Sequence, residues 1–270
     1  MEDFWEESFK GSPFEDLFGK SNKPGRPKED SDSERTKLFR TFTVEVKNRN
    51  REYLEYAVIK HQSIVFERKS DMSLLQAYAL ASLFIRNIPL AYESLELIEN
   101  PNSRQKQAMG IIAYELGSSF ETIEHLGKIK DRVAPARIVY SLALYNFFQE
   151  NPNIHQEILQ PLLEKSSLAN TILGTLYFNS ENMKDAEVFF EKAVELAPNS
   201  ERNQLNLMRT KLANNNLSDE IFSHMNEFYI QTGSTLSADE IQKELEKRKL
   251  EIPKFKIKNL FSIVSNLITE

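Results

Sequence analysis

The sequence predicts an all-α fold made of consecutive helix hairpins, and three repeated features carry this prediction. Small residues stand 31, 33 and 31 positions apart in four predicted first helices: Ala79, Gly110, Ala143 and Gly174. The predicted second helices repeat the i, i+4, i+7 spacing of one helical face: Ala91, Leu95 and Ile98; Thr122, Leu126 and Ile129; Ala186, Phe190 and Ala193. Turn-forming residues separate the hairpins at 100–102, 151–153 and 198–199. A small residue lets the two helices of a hairpin approach closely, because a larger side chain would force them apart.

Residues 1–36 are predicted to be a disordered arm ahead of the helical array. The segment contains three Gly and three Pro residues and ends in an acidic run over 29–34. Such a composition buries too little apolar surface to offset the conformational entropy that the chain loses on ordering.

Residues 37–70 leave two structures open. Phe42, Val44 and Val46 alternate with polar residues as in a short strand. Residues 51–68 contain enough Val and Ile to form either a helix or a β-hairpin. We predict helix for the segment because a helical array follows it.

The best-defined hairpin spans Ala169–Asn199. It contains six signature elements: Leu173-Gly174, Tyr177, Ala186, Phe190, Ala193 and Pro198. These residues resemble a tetratricopeptide repeat, a pair of antiparallel helices of about 34 residues, at every signature position except an aromatic one that Asn170 occupies. The resemblance covers about 71–232, with one clear unit and four weaker ones. It implies an α-solenoid of about five hairpins wound into a right-handed superhelix.

The array is predicted to end in a degenerate fifth hairpin and a C-terminal cap. Met208 takes the small position of that hairpin, and 214–216 forms its turn. Residues 233–270 are predicted to be capping helices, since Ser237 and Glu240 match a capping box and the helix that follows is heavily charged. The last helix is expected to dock on the array through one apolar face: Leu260, Ile263, Val264 and Leu267.

The family resemblance also implies a groove, because the first helices of successive tetratricopeptide repeats line a surface that binds extended peptides or helices. Ten positions of this chain align with that groove: Arg104, Gln107, Tyr114, Tyr140, Phe147, Thr171, Thr175, Phe178, Arg202 and Arg209. Aromatic and arginine side chains are enriched at binding hot spots, although burial between repeats explains each aromatic equally well. Some family members clamp the terminal carboxylate of chaperones with Lys and Asn. Thr171 and Thr175 stand at those positions here and only Asn206 matches a later one, so we rank chaperone binding below other peptide binding.

The arm carries a second predicted interaction element. Six large apolar side chains lie among acidic residues: Phe4, Trp5, Phe9, Phe14, Leu17 and Phe18. Its aromatic pairs are four residues apart and would share one face of a short helix, suited to a groove on a partner. The alternative is a solubilising tail with incidental aromatics. Because the acidic, aromatic arm complements the Arg and aromatic residues of the predicted groove, we also hypothesise that it occupies that groove in cis.

The chain lacks the sequence signatures of an enzyme. It has no cysteine, and its four histidines fall in different predicted units, so we expect no metal and no cofactor. Gly-rich phosphate loops, His-Glu-x-x-His motifs and nucleophile elbows are missing from the sequence. The N-terminus is acidic where a signal peptide is basic, and no segment approaches the roughly 18 apolar residues of a membrane span. We therefore expect a non-enzymatic, cytoplasmic protein.

The leading functional hypothesis is an adaptor that holds a protein or peptide in the groove and engages a second surface with the arm. The net charge of −6 disfavours broad nucleic-acid binding, which needs a basic surface. The alternative is a DNA-associated regulator that uses the repeats as an oligomerisation or sensor module, because Lys23–Lys28 resembles an AT-hook with Arg26 in the minor groove. Pro24 replaces the first arginine of that motif, which favours a flexible linker. A scaffold that assembles with itself is a third hypothesis.

Overall fold

The chain divides into two compact units, Met1–Phe147 with Lys256–Glu270 (unit 1) and Phe148–Phe255 (unit 2). Its structure is a computed structural model that describes residues 34–148, 151–214, 243 and 249–269. All regular secondary structure in these ranges is helical, which confirms the all-α prediction. The helices of the described ranges do not combine the length and the apolar character needed to cross a membrane.

The described residues form twelve α-helices and one 3₁₀ turn. In chain order these are α1 (Glu34–Lys47), α2 (Arg51–Glu67), α3 (Met72–Phe84), α4 (Ile88–Glu96), α5 (Ser103–Glu115), α6 (Ser119–Leu126), α7 (Ala134–Phe148), α8 (Pro152–Leu159), the 3₁₀ turn Gln160–Leu162, α9 (Ser167–Asn179), α10 (Met183–Leu196), α11 (Glu201–Ala213) and α12 (Leu260–Thr269). Unit 1 contains α1 to α6, all of α7 but its last residue, and α12, whereas unit 2 contains α8 to α11.

Side-chain caps set where most of these helices begin. Asn102 Oδ1 accepts the backbone N–H groups of Arg104 and Gln105, each at 2.9 Å, and Gln105 Oε1 accepts the N–H of Asn102 at 2.8 Å. This reciprocal capping box starts α5. Single side-chain caps precede eight further helices: Asn50, Asp71, Asn87, Ser118, Asn151, Ser166, Asn182 and Ser200. Each cap satisfies a donor that the first helical turn leaves without a partner.

Most of residues 37–70 lie in α1 and α2, in keeping with the preference for helix, and the strand alternative for Phe42, Val44 and Val46 is wrong. Phe42 and Val46 are buried on one side of α1, whereas Val44 between them is 41% exposed. Positions i and i+4 share a helical face as readily as they share a face of a strand, so three alternating residues do not distinguish the two structures. The helix α1 begins at Glu34, within the last residues assigned to the predicted arm.

Tyr78 of α3 holds α1 and α2 together in unit 1. Its fully buried ring meets the ring of Phe42 edge-on at 5.1 Å between centroids and that of Phe66 at 5.9 Å. Its hydroxyl donates a hydrogen bond of 2.8 Å to the backbone carbonyl of Val58. A buried tyrosine that satisfies its hydroxyl in this way adds both apolar burial and edge-to-face ring contacts to the core.

A bidentate ion pair ties α1 to the start of α3. Arg35 donates from Nε to Asp71 Oδ2 at 2.6 Å and from Nη2 to Oδ1 at 3.0 Å. This hydrogen bond lowers the pKa of Asp71, and the backbone N–H of Leu74 lowers it further by donating to the same carboxylate. The pair therefore stabilises the folded state while the carboxylate is ionised.

The two glycines of the predicted small positions are sites of close helix contact. A Cβ atom added at Gly110 would lie 2.6 Å from Cγ of Leu126, and one added at Gly174 would lie 2.8 Å from Cδ1 and Cε1 of Phe190. Leu126 and Phe190 are both fully buried, and the other predicted stripe residues of the second helices are buried too. Three helix pairs of the predicted hairpins pack together, α3 with α4, α5 with α6 and α9 with α10. The sequence therefore predicted the internal packing of these hairpins correctly.

Some predictions concern residues outside the described ranges. These are the interaction motif of the arm, the element around Arg26, the second helix of the fifth hairpin and the capping box of Ser237 and Glu240. The third predicted hairpin, α7 with α8, falls on the division between the two units.

Candidate functional site

The C-terminal helix covers one face of two first helices in unit 1. α12 packs on both α3 and α5, in keeping with the expectation that the last helix docks through an apolar face. Val264, Leu267 and Ile268 are buried in this position, and the ring of Phe261 meets that of Phe84 edge-on at 5.8 Å between centroids. We call the face of α3 and α5 that contacts α12 the first-helix surface of unit 1.

Two polar contacts hold the backbone of the docked segment. Glu115 Oε1 accepts the N–H of Ile257 at 3.0 Å, just ahead of α12. Arg104 Nη2 donates to the carbonyl oxygen of Asn266 at 3.3 Å, near the other end of the helix. Since both contacts are to main-chain atoms, they do not depend on the side chains of the docked segment. Burial of apolar side chains between these two contacts supplies the remaining complementarity.

The five predicted groove residues of unit 1 lie in different environments. Arg104 is exposed and contacts the docked helix, and Tyr114 of α5 is half-buried. Phe147 is 53% exposed, and its ring lies 6.1 Å from that of Phe120, which is also exposed. Among these residues, Arg104 donates a hydrogen bond to the backbone of the docked α12.

Gln107 and Tyr140 support the loop between α6 and α7. Gln107 is buried, its Oε1 accepts the N–H of Val133 at 2.7 Å and its Nε2 donates to the carbonyl of Asp131 at 3.3 Å. The guanidinium of Arg132 lies 4.1 Å from the ring centroid of Tyr140, a distance typical of a cation–π contact. The groove assignment of Gln107 is therefore corrected, because both ends of its amide hold the loop.

Three predicted groove residues of unit 2 are buried within it. Thr171 Oγ1 lies 2.8 Å from both the Ser167 carbonyl and Asn203 Oδ1, and Thr175 Oγ1 donates to the Thr171 carbonyl at 2.8 Å. Phe178 is buried as well. The physical reason for this correction is that side chains of α11 contact two of these residues, since Asn203 meets Thr171 and the guanidinium of Arg209 lies 5.6 Å from the ring centroid of Phe178.

The remaining groove residues of unit 2 converge on a cavity. Arg202 and Arg209 lie at i and i+7 of α11 with Asn206 between them, so all three share one face of the helix. The cavity has a volume of about 420 Å³, which is within the range of small-ligand sites. Among the residues that the structure describes, eight line it: Glu201, Arg202, Leu205, Asn206, Arg209, Lys249, Leu250 and Glu251.

The second wall of the cavity is an extended segment, 249–251, that the sequence did not associate with the site. Asn179 at the end of α9 holds Leu250 through both backbone groups, donating to its carbonyl at 2.9 Å and accepting its N–H at 2.8 Å. Arg202 Nη2 donates to the carbonyl of Glu251 at 2.9 Å. Asn179 and Leu250 are 71 residues apart, and no local pattern connects an asparagine with a distant backbone segment.

Tyr92 and His125 connect the second helices α4 and α6. Tyr92 Oη lies 2.8 Å from His125 Nε2, and Glu96 Oε1 lies 3.8 Å from the same nitrogen. Burial lowers the pKa of His125, while burial first and Glu96 second raise the pKa of Tyr92. Both rings are therefore neutral near neutral pH, and the contact joins two hairpins without introducing a buried charge.

Neither a protein-family model nor a curated protein matches this chain. In the described part of the chain, His, Asp and Glu side chains do not gather in groups of three that could hold a metal ion. The geometry offers two candidate binding places, the first-helix surface of unit 1 and the cavity of unit 2.

Proposed function

We propose that this protein is a non-enzymatic scaffold of tetratricopeptide-like hairpins, arranged as an α-solenoid, which binds an amphipathic helix of a partner protein on the first-helix surface of unit 1. The observation that supports the proposal is the docking of α12 on α3 and α5. In this proposal the protein is a cytoplasmic adaptor, and the aromatic residues of its N-terminal arm engage a second surface.

The contacts of α12 define the helix that this surface accepts. Leu260, Val264 and Leu267 follow the i, i+4, i+7 spacing of one apolar stripe, and Ile268 widens it. An apolar stripe laid against neighbouring helices is the helix-in-groove mode of protein recognition. A partner helix with the same spacing could bury its stripe in the same place and use the main-chain contacts of Glu115 and Arg104.

The partner must compete with α12, because both helices need the same surface. A covalently attached segment has an effective concentration of roughly millimolar order, so α12 excludes weak competitors. Each loss of about 1.4 kcal/mol from the docking of α12 raises the apparent affinity of a competitor by up to about tenfold. Weakening α12 should therefore convert a covered surface into a measurable binding site.

A fluorescent peptide of residues 256–269 tests the proposal against full-length protein. Val264 is fully buried, so the docked helix of a Val264→Asp chain would hold an unpaired carboxylate in an apolar contact. Because burial of an unpaired charge is costly, we expect α12 of this variant to leave the surface. We expect the labelled peptide to bind this variant at least about tenfold more tightly than the wild-type chain in a fluorescence-anisotropy titration. Arg104→Ala in the same background should weaken binding roughly threefold to tenfold, because one hydrogen bond to the peptide is lost.

Asn266→Asp is the matched control. It adds the same charge to α12 at an exposed side chain, so α12 stays docked and peptide binding should equal that of the wild-type chain. Circular dichroism of each variant checks that the remaining helices are folded. Equal peptide affinity for the wild-type and Val264→Asp chains would refute the proposal, since a covered helix-binding surface requires a difference.

A further inference from the structure

Helix α2 has an apolar stripe on the side that is exposed to solvent. Four of its side chains are buried on the side that packs on α1 and α3: Leu54, Ala57, Val58 and Val65. Tyr53, Tyr56 and Ile59 lie on the other side and are 45%, 57% and 71% exposed. The rings of Tyr53 and Tyr56 are 6.5 Å apart between centroids, so the stripe is continuous. A surface helix ordinarily has one apolar face and one polar face, and the second apolar stripe of α2 therefore indicates an interaction surface.

The two ends of this stripe carry opposite charges. Glu52 is exposed four residues before Tyr56, and Lys60 is exposed four residues after it. Lys60 Nζ lies 5.1 Å from the ring centroid of Tyr56, so its charge is beside the stripe. Glu55 is paired within the helix, because its Oε1 accepts from Arg51 Nε at 2.8 Å. The order along the exposed face of α2 is therefore acid, aromatic, base.

This order makes the face complementary to a second copy of itself. A two-fold axis beside Tyr56 reverses the direction of the second helix, so a residue before Tyr56 lies level with the residue at the same distance after it in the other copy. Glu52 of each copy is then level with Lys60 of the other, about 6 Å along the helix from the axis. The two Tyr56 rings meet at the axis, and Tyr53 and Ile59 extend the apolar contact on both sides of it. An arrangement of charges that pairs with its own reverse favours a second copy over an unrelated partner.

The exposed area of the stripe suffices for a weak dimer. Tyr53, Tyr56 and Ile59 together expose roughly 350 Å² of side-chain surface per copy. Glu52 and Lys60 at the rim bring the area that both copies bury to roughly 1,200 Å², the lower end of the range for specific interfaces. Because interfaces of this size are transient, we expect a dissociation constant of roughly 10–100 μM.

We propose that this chain forms a two-fold dimer through α2, with Tyr56 at the centre and Glu52 and Lys60 of opposite copies paired at the rim. The proposal depends on the exposed residues of α2 and not on helix binding at α3 and α5. Where both hold, one dimer carries two first-helix surfaces, and a partner that presents two suitable helices binds with avidity.

Sedimentation equilibrium of the full-length protein over about 1–300 μM tests the proposal, because this range brackets the expected dissociation constant. The average mass should rise from that of one chain to that of two. Tyr56→Ala should weaken the dimer at least about tenfold, since an aromatic side chain at the centre of an interface is lost from both copies. Phe120→Ala is the matched control, because Phe120 is a similarly exposed aromatic residue on α6, and it should leave the dissociation constant within about twofold.

A charge exchange tests the two-fold arrangement itself. Glu52→Lys and Lys60→Glu each place like charges opposite each other twice in the dimer, so each variant alone should associate about threefold to tenfold more weakly. In an equal mixture of the two variants, every rim contact between unlike chains again joins opposite charges. The mixture should therefore associate about as tightly as the wild-type chain. Circular dichroism of each variant checks that the helices are folded.

Three results would overturn the proposal. A wild-type chain that stays monomeric throughout the concentration range would assign the stripe to another occupant, such as the N-terminal arm or a different protein. A dimer that Tyr56→Ala and Phe120→Ala affect equally would be formed elsewhere on the chain. A mixture of the charge variants that associates no more tightly than either variant alone would exclude the pairing of Glu52 with Lys60.

Discussion

Replacement of Gly174 by alanine tests the close approach of α9 and α10. The added Cβ would lie 2.8 Å from two ring carbons of Phe190 and 2.9 Å from a third, whereas carbon atoms prefer separations of about 3.5 Å or more. The rigid, fully buried ring must therefore move by roughly 0.7 Å against its neighbours. Overpacking of this kind costs about 1–3 kcal/mol, and the higher helix propensity of alanine returns about 1 kcal/mol. We expect Gly174→Ala to lower the free energy of unfolding by up to about 2 kcal/mol.

Urea denaturation followed by far-UV circular dichroism measures this difference. The second chain to compare is Phe190→Leu, which removes the ring beside residue 174 and by itself also lowers the free energy of unfolding. In the double variant the alanine should cost less than it does alone, with a coupling energy of about 0.5–3 kcal/mol. If Gly174→Ala instead stabilises both backgrounds by about 1 kcal/mol, propensity alone is acting and the two helices do not need a small residue at this position.

The hairpins could be predicted from the sequence because their signals are local. Gly174 and Phe190 belong to one hairpin, and the spacing of small and apolar residues encodes the face that each helix buries. The same locality misleads at Phe42 and Val46, because a spacing of four residues fits a helix and a strand alike.

The candidate sites were harder to predict because they depend on contacts between distant segments. Gln107 aligns with a ligand-binding position, yet the 131–133 loop uses both ends of its amide. Thr171 and Thr175 are on the predicted face of a first helix, but both are buried, and Thr171 contacts Asn203 of α11. Glu115 contacts a backbone group 142 residues away, which no periodic pattern in the sequence predicts.

Two further predictions follow from side chains that hold the fold. Gln107→Leu keeps the volume of the side chain but leaves the Val133 N–H and the Asp131 carbonyl without their partner. The free energy of unfolding should therefore fall by about 1–3 kcal/mol in urea titrations. The same substitution in the Val264→Asp background should leave peptide binding unchanged. Arg35 lowers the pKa of Asp71 in the folded state, so the pair stabilises fully above the unfolded pKa of about 3.9 and loses its contribution as the pH falls through the lower folded value. Asn at position 71 can still cap α3, so Asp71→Asn should lose only the ion pair and be less stable than the wild-type chain at neutral pH. Its unfolding free energy should also fall less steeply below about pH 4. Identical pH slopes for the wild-type and Asp71→Asn chains would contradict this.

The segment that follows the described Lys249 contacts each unit separately, so the release of α12 is a perturbation of unit 1. Leu250 is held against Asn179 by two backbone hydrogen bonds, and neither bond involves α12. Release of α12 by Val264→Asp removes contacts with α3 and α5 but leaves these two bonds in place. The released chain should therefore gain peptide binding at unit 1, while the side-chain amide signal of Asn179 in ¹⁵N-labelled protein keeps its position. A shift of the Asn179 signal in the Val264→Asp chain would mean that the docking of α12 also holds Leu250, contrary to the contacts of that residue.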